Sequence, residues 1–156
     1  RAAAKLAEDC HADPMQAQLA ALLHDCAKRL PSAVLEVLSG DDTGIIPVLH
    51  AFEGAVVAKN AFGVTDQAVL RAIRLHCTAD AGMTVLEQII YLADVIEPNR
   101  TFDGVEALRE RVANGLDSAM RMALERTLLL VEQRGYACHP ASLRAYEYYQ
   151  NTEGND

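Results

Sequence analysis

Apolar residues recur at three- and four-residue steps along most of the chain, and nowhere alternate long enough for a strand. The spacing predicts helices from end to end. Residues 2–8 already read as helix. Asp13-Pro14, an N-cap residue followed by proline at the first helical position, predicts a helix running through His24-Asp25 to about Ala27. Leu19, Leu22, Leu23 and Cys26 would form its buried stripe. Ser32 is expected to cap a short helix over 33–38, and residues 39–44 read as a loop. Pro47 opens a helix that ends near Gly63 and carries His50, Ala51, Glu53, Gly54 and Ala55, small enough in part for a neighbour to approach closely. Asp66 caps the next helix, which leads to His76. Thr84 and Glu87 form a capping box for an apolar helix over 86–96, ended by Pro98. A long helix follows from about Leu116 to Gln133, stopped by Gly135. His139-Pro140 starts a last one, from Ala141 to about Gln150, and residues 151–156 are expected to fray.

These elements fit one all-α domain over residues 1–150, with its first helix cut short at Arg1. A chain of 156 residues with 51% hydrophobic content is long and apolar enough for a real core. Aromatics make up only 5% and tryptophan is absent, so aliphatic and alanine contacts must fill that core. A net charge of −8 argues against a groove for a nucleic-acid polymer but leaves room for a small phosphate site. Cys10, Cys26, Cys77 and Cys138 show no CxxC spacing and read as reduced thiols of a cytoplasmic protein. No stretch is long and apolar enough to span a membrane, and no signal peptide is visible.

The candidate chemistry begins with His24-Asp25, followed by the lone residues His50, His76 and Asp94. Each has an ordinary structural reading. His24 could satisfy a carbonyl at a helix end with Asp25 on the surface. His50 could bond water in a first turn, and His76 could complement a helix C-terminus. Asp94 interrupts an apolar helix, where an ionised carboxylate needs a cation, a donor or a metal. Its ordinary alternative is an ion pair with Arg100 or Arg74. Taken together, three imidazoles and two carboxylates from different helices suit iron, manganese or zinc better than calcium. A dinuclear site of this kind would present an activated water to phosphorus or carbon.

The order His-Asp, His, His, Asp on successive helices resembles the HD-domain phosphohydrolases. Residues 20–28 (AALLHDCAK) are similar to the AALLHDYAK segment of one branch. Residues 48–55 (VLHAFEGA), 72–78 (AIRLHCT) and 90–100 (IYLADVIEPNR) are similar to its LLH…GA, AI..HTT and YLADYIEPGR segments. That branch is the YqeK-type symmetrical diadenosine tetraphosphatases. The resemblance implies a compact helical bundle, a di-iron site and cleavage of diadenosine tetraphosphate into two ADP. By position it makes His24, Asp25, His50, His76 and Asp94 metal ligands, with Asp25 bridging. Lys28 and Arg100 would face the phosphates, and His50 and Asp25 would also meet substrate. Cys138, His139, Pro140 and Ser142 lie in a segment that would help hold the nucleotide, where free N–H groups at a helix start favour an anion. A further family histidine would lie upstream of Arg1; His11 does not fit its place. Cys26 replaces an aromatic residue, Cys77 a hydroxyl residue and Asn99 a glycine.

The mechanism this implies is attack of a metal-bound hydroxide on an inner phosphorus, with Lys28 and Arg100 neutralising charge and Asp94 holding a metal or orienting water. Manganese or zinc would satisfy the same ligands as iron. The expected partners are dinucleoside polyphosphates and ADP- or GDP-type nucleotides. A homodimer follows from the resemblance, although no interface patch is legible. Other readings stay open: another HD-domain nucleotide phosphohydrolase, a nucleotide-binding regulatory module without catalysis, and a purely structural helical protein.

Overall fold

The structure, a computed structural model, describes residues 2–31, 34 and 45–152. Among these residues the protein is all helix, in eight segments. They are α1 (Ala2–Asp9), α2 (Pro14–Leu23), α3 (Ile46–Phe62), α4 (Gln67–Leu75), α5 (Val85–Val95), α6 (Val105–Asn114), α7 (Leu116–Gln133) and α8 (Pro140–Thr152). The helix expected over 33–38 and the loop over 39–44 lie outside the described residues, apart from residue 34.

Local chemistry sets most of the boundaries. The Asp13 carboxylate accepts from the N–H groups of Met15 and Gln16, and Asp66 does the same for Ala68 and Val69. Thr84 and Glu87 make the reciprocal capping box of α5. Gly63 ends α3 at φ 69°, a backbone conformation that side chains with a Cβ rarely adopt. Asn151 and Thr152, expected in a frayed tail, instead continue α8, with the Thr152 hydroxyl donating to the Tyr149 carbonyl.

α5 is the axis of the bundle. Leu86, Ile89 and Ile90 pack into one cluster with α1, α2 and α4, while Tyr91 and Leu92 join a second with α6, α7 and α8. Each fully buried leucine or isoleucine contributes about 1.5–3 kcal/mol, so a helix buried on both sides anchors the two halves together. Alanines line the first cluster: Ala7, Ala17, Ala20, Ala58 and Ala72 have no exposed surface. In a chain poor in aromatics, small side chains let the helices close to short range.

Two expectations are corrected here. The buried face of α2 is Ala17, Ala20 and Leu23; Leu22 is 77% exposed and Leu19 lies at the surface. Close approach of neighbouring helices selects the alanine face, since leucines there would hold them apart. α2 also stops at Leu23 rather than Ala27. In a longer helix the Asp25 N–H would bond the Ala21 carbonyl, but the His24 ring Nδ1–H takes that carbonyl at 2.8 Å. Residues 24–30 then proceed by tighter turns, with the amides of Cys26, Lys28 and Leu30 donating to Leu23, Asp25 and Ala27.

Candidate metal centre

Three helix C-termini and one helix N-terminus meet at a single point. His24 and Asp25 leave the end of α2, His76 and Cys77 the end of α4, and Asp94 sits in the last turn of α5. His50 comes from the opening of α3, close behind Pro47. C-terminal ends carry partial negative charge from unpaired carbonyls, so the three of them favour a cation where they converge. Gly54 makes the closeness possible. A Cβ there would stand 3.1 Å from the His24 carbonyl oxygen and 3.2 Å from Ile73 Cγ2.

The imidazoles are oriented by one repeated device. His24 Nδ1 donates to the Ala21 carbonyl at 2.8 Å, and His76 Nδ1 to the Ile73 carbonyl at 2.7 Å. His50 bonds the backbone of Pro47, which has only a carbonyl to offer. Each histidine thus spends one ring nitrogen on the residue three positions before it. In His24 and His76 this fixes the neutral tautomer with its lone pair on Nε2, turned into the cluster, the arrangement usual for metal-binding histidines. The carbonyl-satisfying reading of a helix-end histidine holds for His24 on its Nδ1 side, and the Nε2 side is turned toward the carboxylates.

The Nε2 atoms surround Asp25. Its Oδ1 lies 3.3 Å from His50 Nε2 and 3.5 Å from His76 Nε2, and its Oδ2 is 3.6 Å from His24 Nε2. Asp94 Oδ1 is 3.8 Å from the same His24 atom. These gaps exceed a good N–H···O bond of ~2.7–3.2 Å. The shortest, Asp25 Oδ1 to His50 Nε2, has the length of a coordination-shell edge, because two ligands ~2.1 Å from one ion at 90–109° stand ~3.0–3.4 Å apart, and the other three are somewhat wider. Asp25 Oδ1 is buried with no hydrogen-bond partner, an expensive state that a bound cation would relieve. The donor set therefore fits a divalent metal. Cys77 adds a sulfur 3.2 Å from His76 Nε2 and 3.3 Å from His50 Nε2.

The electrostatics favour ionised carboxylates and shift two of the rings in opposite directions. The neighbouring His76 imidazole and then Lys28, at 2.6 Å, hold the Asp25 carboxyl well below the usual range against the opposing effect of burial. His24 and then Arg100, whose Nη2 is 3.3 Å away, depress Asp94. Burial and the nearby His76 push His50 down. Burial also works against the His24 imidazolium, but Asp94, the Ala21 carbonyl and Asp25 together outweigh it and raise His24. Of the two partners considered for Asp94, Arg100 is the one it has; Arg74 instead lies over the Phe52 ring.

Beside the metal-type cluster opens a cleft of about 640 Å³, lined by His76, Cys77, Asp94, Arg100, Arg126 and Arg134 among others. Burial first, then the positive charges of Arg100 and Arg134, lowers the Arg126 pKa. The Arg126 guanidinium rests 3.3 Å above the Phe102 ring centroid, which holds it in place.

The C-terminal segment is built differently from the sequence expectation in one respect. The His139 ring Nδ1 accepts from the Ala141 N–H at 3.1 Å, so that amide at the start of α8 is already satisfied. Ser142 donates its hydroxyl to the Thr78 carbonyl at 2.8 Å, and Arg144 forms two bonds to Asp80. These contacts tie α8 to the turn after His76. Cys138, His139 and Ser142 line a narrow crevice that also reaches Cys77.

Sequence reasoning did not place Cys77 beside the imidazoles, nor Arg126 and Arg134 in the cleft. The first had a signal, since a cysteine directly follows a candidate ligand at a helix end. The two arginines lie in a long amphipathic helix where a charged residue usually faces water, so nothing local marked them.

Residues 1–99 match the HD domain family. The symmetrical bis(5'-nucleosyl)-tetraphosphatase of Halalkalibacterium halodurans is 37% identical over 86% of this chain and 76% of that protein. The enzyme of the same name from Bacillus subtilis is 33% identical over 94% of this chain and 82% of that protein. A crystal structure from Clostridium acetobutylicum, described as a predicted HD superfamily hydrolase involved in NAD metabolism, shares 34% identity with a TM-score of 0.90 over 97% of this chain and 84% of that one. With the HD order of donors gathered at one point and relatives of one kind aligned along nearly all its length, the chain belongs to the HD-domain family, in its symmetrical bis(5'-nucleosyl)-tetraphosphatase branch.

Proposed function

We propose that this protein is a metal-dependent hydrolase that splits diadenosine tetraphosphate, or a close dinucleoside tetraphosphate, at its central phosphoanhydride to give two nucleoside diphosphates. The observation that carries this reading is the placement of the His24, Asp25, His50, His76 and Asp94 cluster at the mouth of an arginine-lined cleft. Relatives bearing that activity in their names support it.

In this reading His24, Asp94, His50 and His76 would hold divalent metal, with the Asp25 carboxylate shared among them. Iron is the metal expected, and manganese or zinc suits the same nitrogen and oxygen donors. Bound there, such ions would supply positive charge for the phosphate oxygens and acidify a water. The chain's own residues do the rest. Lys28 and Arg100 approach the same centre from the α2 and α5 sides and neutralise charge that builds on the phosphate chain. Both are tethered through carboxylates of the cluster, Lys28 by Asp25 and Arg100 by Asp94. Arg126 and Arg134 would hold phosphates farther along the cleft. The walls at Cys138, His139, Pro140 and Ser142 would border the nucleotide. Water adds across the P–O–P bond, and a nucleoside diphosphate leaves as a stable anion, so no strong general acid is needed.

Residues 1–150 act as one unit in this proposal, with both halves of the bundle contributing to the cleft. The four cysteines are free thiols, which suits a reducing cytoplasm. No described helix is long and apolar enough to cross a membrane. Product analysis tests the activity. Incubation of metal-loaded protein with diadenosine tetraphosphate should yield ADP alone. Release of ATP with AMP, or of inorganic phosphate, would reject symmetrical cleavage.

A further inference from the structure

The donors around the centre are not all nitrogen and oxygen. His50, His76 and Cys77 present ligand atoms that all lie within 4.8 Å of one another. Cys77 Sγ is 3.3 Å from His50 Nε2 and 3.2 Å from His76 Nε2. We propose that Cys77 is a further protein ligand to the ion held by His50 and His76, adding a thiolate to their two imidazoles and the shared Asp25 carboxylate in a donor set that prefers zinc or ferrous iron to manganese. The inference rests on the metal-centre part of the proposed function but not on the substrate.

The same separations serve an S–H···N hydrogen bond while no ion is bound and a coordination-shell edge when one is. For an ion ~2.3 Å from sulfur and ~2.1 Å from nitrogen, an S–metal–N angle of about 95° places the two donors ~3.2–3.3 Å apart. Both observed separations fall there. Position on the chain explains how. Cys77 follows His76 where α4 ends. The His76 ring is turned back onto the Ile73 carbonyl, so its Nε2 and the next side chain open toward the same side. Cys26 is used differently, donating its S–H to the Gly54 carbonyl at 3.5 Å. On metal binding the Cys77 S–H bond would break, its proton passing to solvent as sulfur bonds the ion. A thiolate is a soft donor, and soft donors select zinc and ferrous iron over manganese and magnesium.

Cobalt(II) loading of the full chain tests this. The wild type should show an intense near-ultraviolet sulfur-to-cobalt charge-transfer band, retained in Cys26→Ser and lost in Cys77→Ser and Cys77→Thr. X-ray absorption of the zinc-loaded wild type should show a sulfur scatterer at ~2.3 Å, a readout that does not depend on any variant folding. A wild type without the band at full loading, a band unchanged in Cys77→Ser, or a zinc shell of nitrogen and oxygen only would overturn the assignment. The two proposals separate cleanly. A sulfur-ligated protein that leaves diadenosine tetraphosphate intact supports the ligand and rejects the substrate. Symmetrical cleavage without sulfur ligation rejects the ligand and leaves the substrate standing.

Discussion

Asp25 Oδ1 lies 3.3 Å from His50 Nε2 yet has no hydrogen-bond partner. The two side chains face one another across a gap that neither closes, although His76 also borders it. A buried carboxylate oxygen in this state costs on the order of 1–3 kcal/mol, and the fold tolerates the cost where function requires it.

Asp25 should therefore be the residue least open to change. Asp25→Ala removes the oxygens proposed to be shared by two ions and frees Lys28 from its tether. Turnover of diadenosine tetraphosphate should fall by roughly a thousandfold or more, on the scale of losing a principal charge-stabilising group. The folded state should persist, since the side chain supports no packing. Assay of ADP release beside circular dichroism checks both halves, and near-normal turnover would reject the assigned role.

The two flanking histidines should titrate in opposite directions in metal-free protein. His24 is raised above its ordinary 6.5 and His50 is lowered below it. A histidine with a raised folded pKa contributes stability that is fully present below its unfolded value and is lost as pH rises through the folded one. Metal binding has the opposite sign, because it needs the neutral ring. As pH falls toward 6.5 the His24–Asp94 side should lose its ion before the His50–His76 side. Histidine-resolved NMR titration without metal, followed by metal retention against pH, measures the order. A His24 midpoint below that of His50 would contradict it.

Gly54 should not accept a methyl group. Its Cβ would come within 3.1 Å of the His24 carbonyl, a backbone atom that can yield only if α2 shifts. Gly54→Ala should cost about 1–3 kcal/mol of stability and weaken metal binding together with it. Thermal unfolding and metal titration on the same preparation test the coupling; an unchanged melting temperature would mean the helices have slack there.

Arg126 should act on binding rather than on chemistry. It lies in the cleft with Arg100 and Arg134, held over Phe102. Arg126→Ala should raise KM for the dinucleotide about tenfold, the loss of one charge-assisted hydrogen bond, with a smaller change in kcat. The defect should deepen with each added phosphate in a substrate series. A loss confined to kcat would place Arg126 nearer the reacting phosphorus than the cleft suggests.

Much of the fold was legible because its signals are local. Asp13, Asp66 and the Thr84–Glu87 pair cap the helices they were expected to cap. α6 was missed, although Val105, Leu108 and Val112 are buried at helical spacing. Its polar surface and its glycine boundaries, Gly104 and Gly115, hid a short helix that packing stabilises. In the expected α2 stripe Leu23 and Cys26 reach the core, while Leu19 and Leu22 were misplaced for a related reason. Periodicity marks an apolar face, but both the alanine and the leucine faces of α2 are apolar, and only the neighbours choose between them.

By itself, the sequence determined which donors exist and where the capped helices begin, because caps, glycine stops and the bond from a ring to the carbonyl three residues back act within one turn. Even the orientation of His24 and His76 on their own helices belongs to this level. The tertiary structure alone decided that four helix ends meet, that Asp25 stands among three imidazoles, that Cys77 joins them and that Arg126 and Arg134 open onto the same cleft. Those relations span tens of residues and depend on how closely α2, α3, α4 and α5 can pack. That distance is set by alanines and by Gly54, which carry no chemistry of their own.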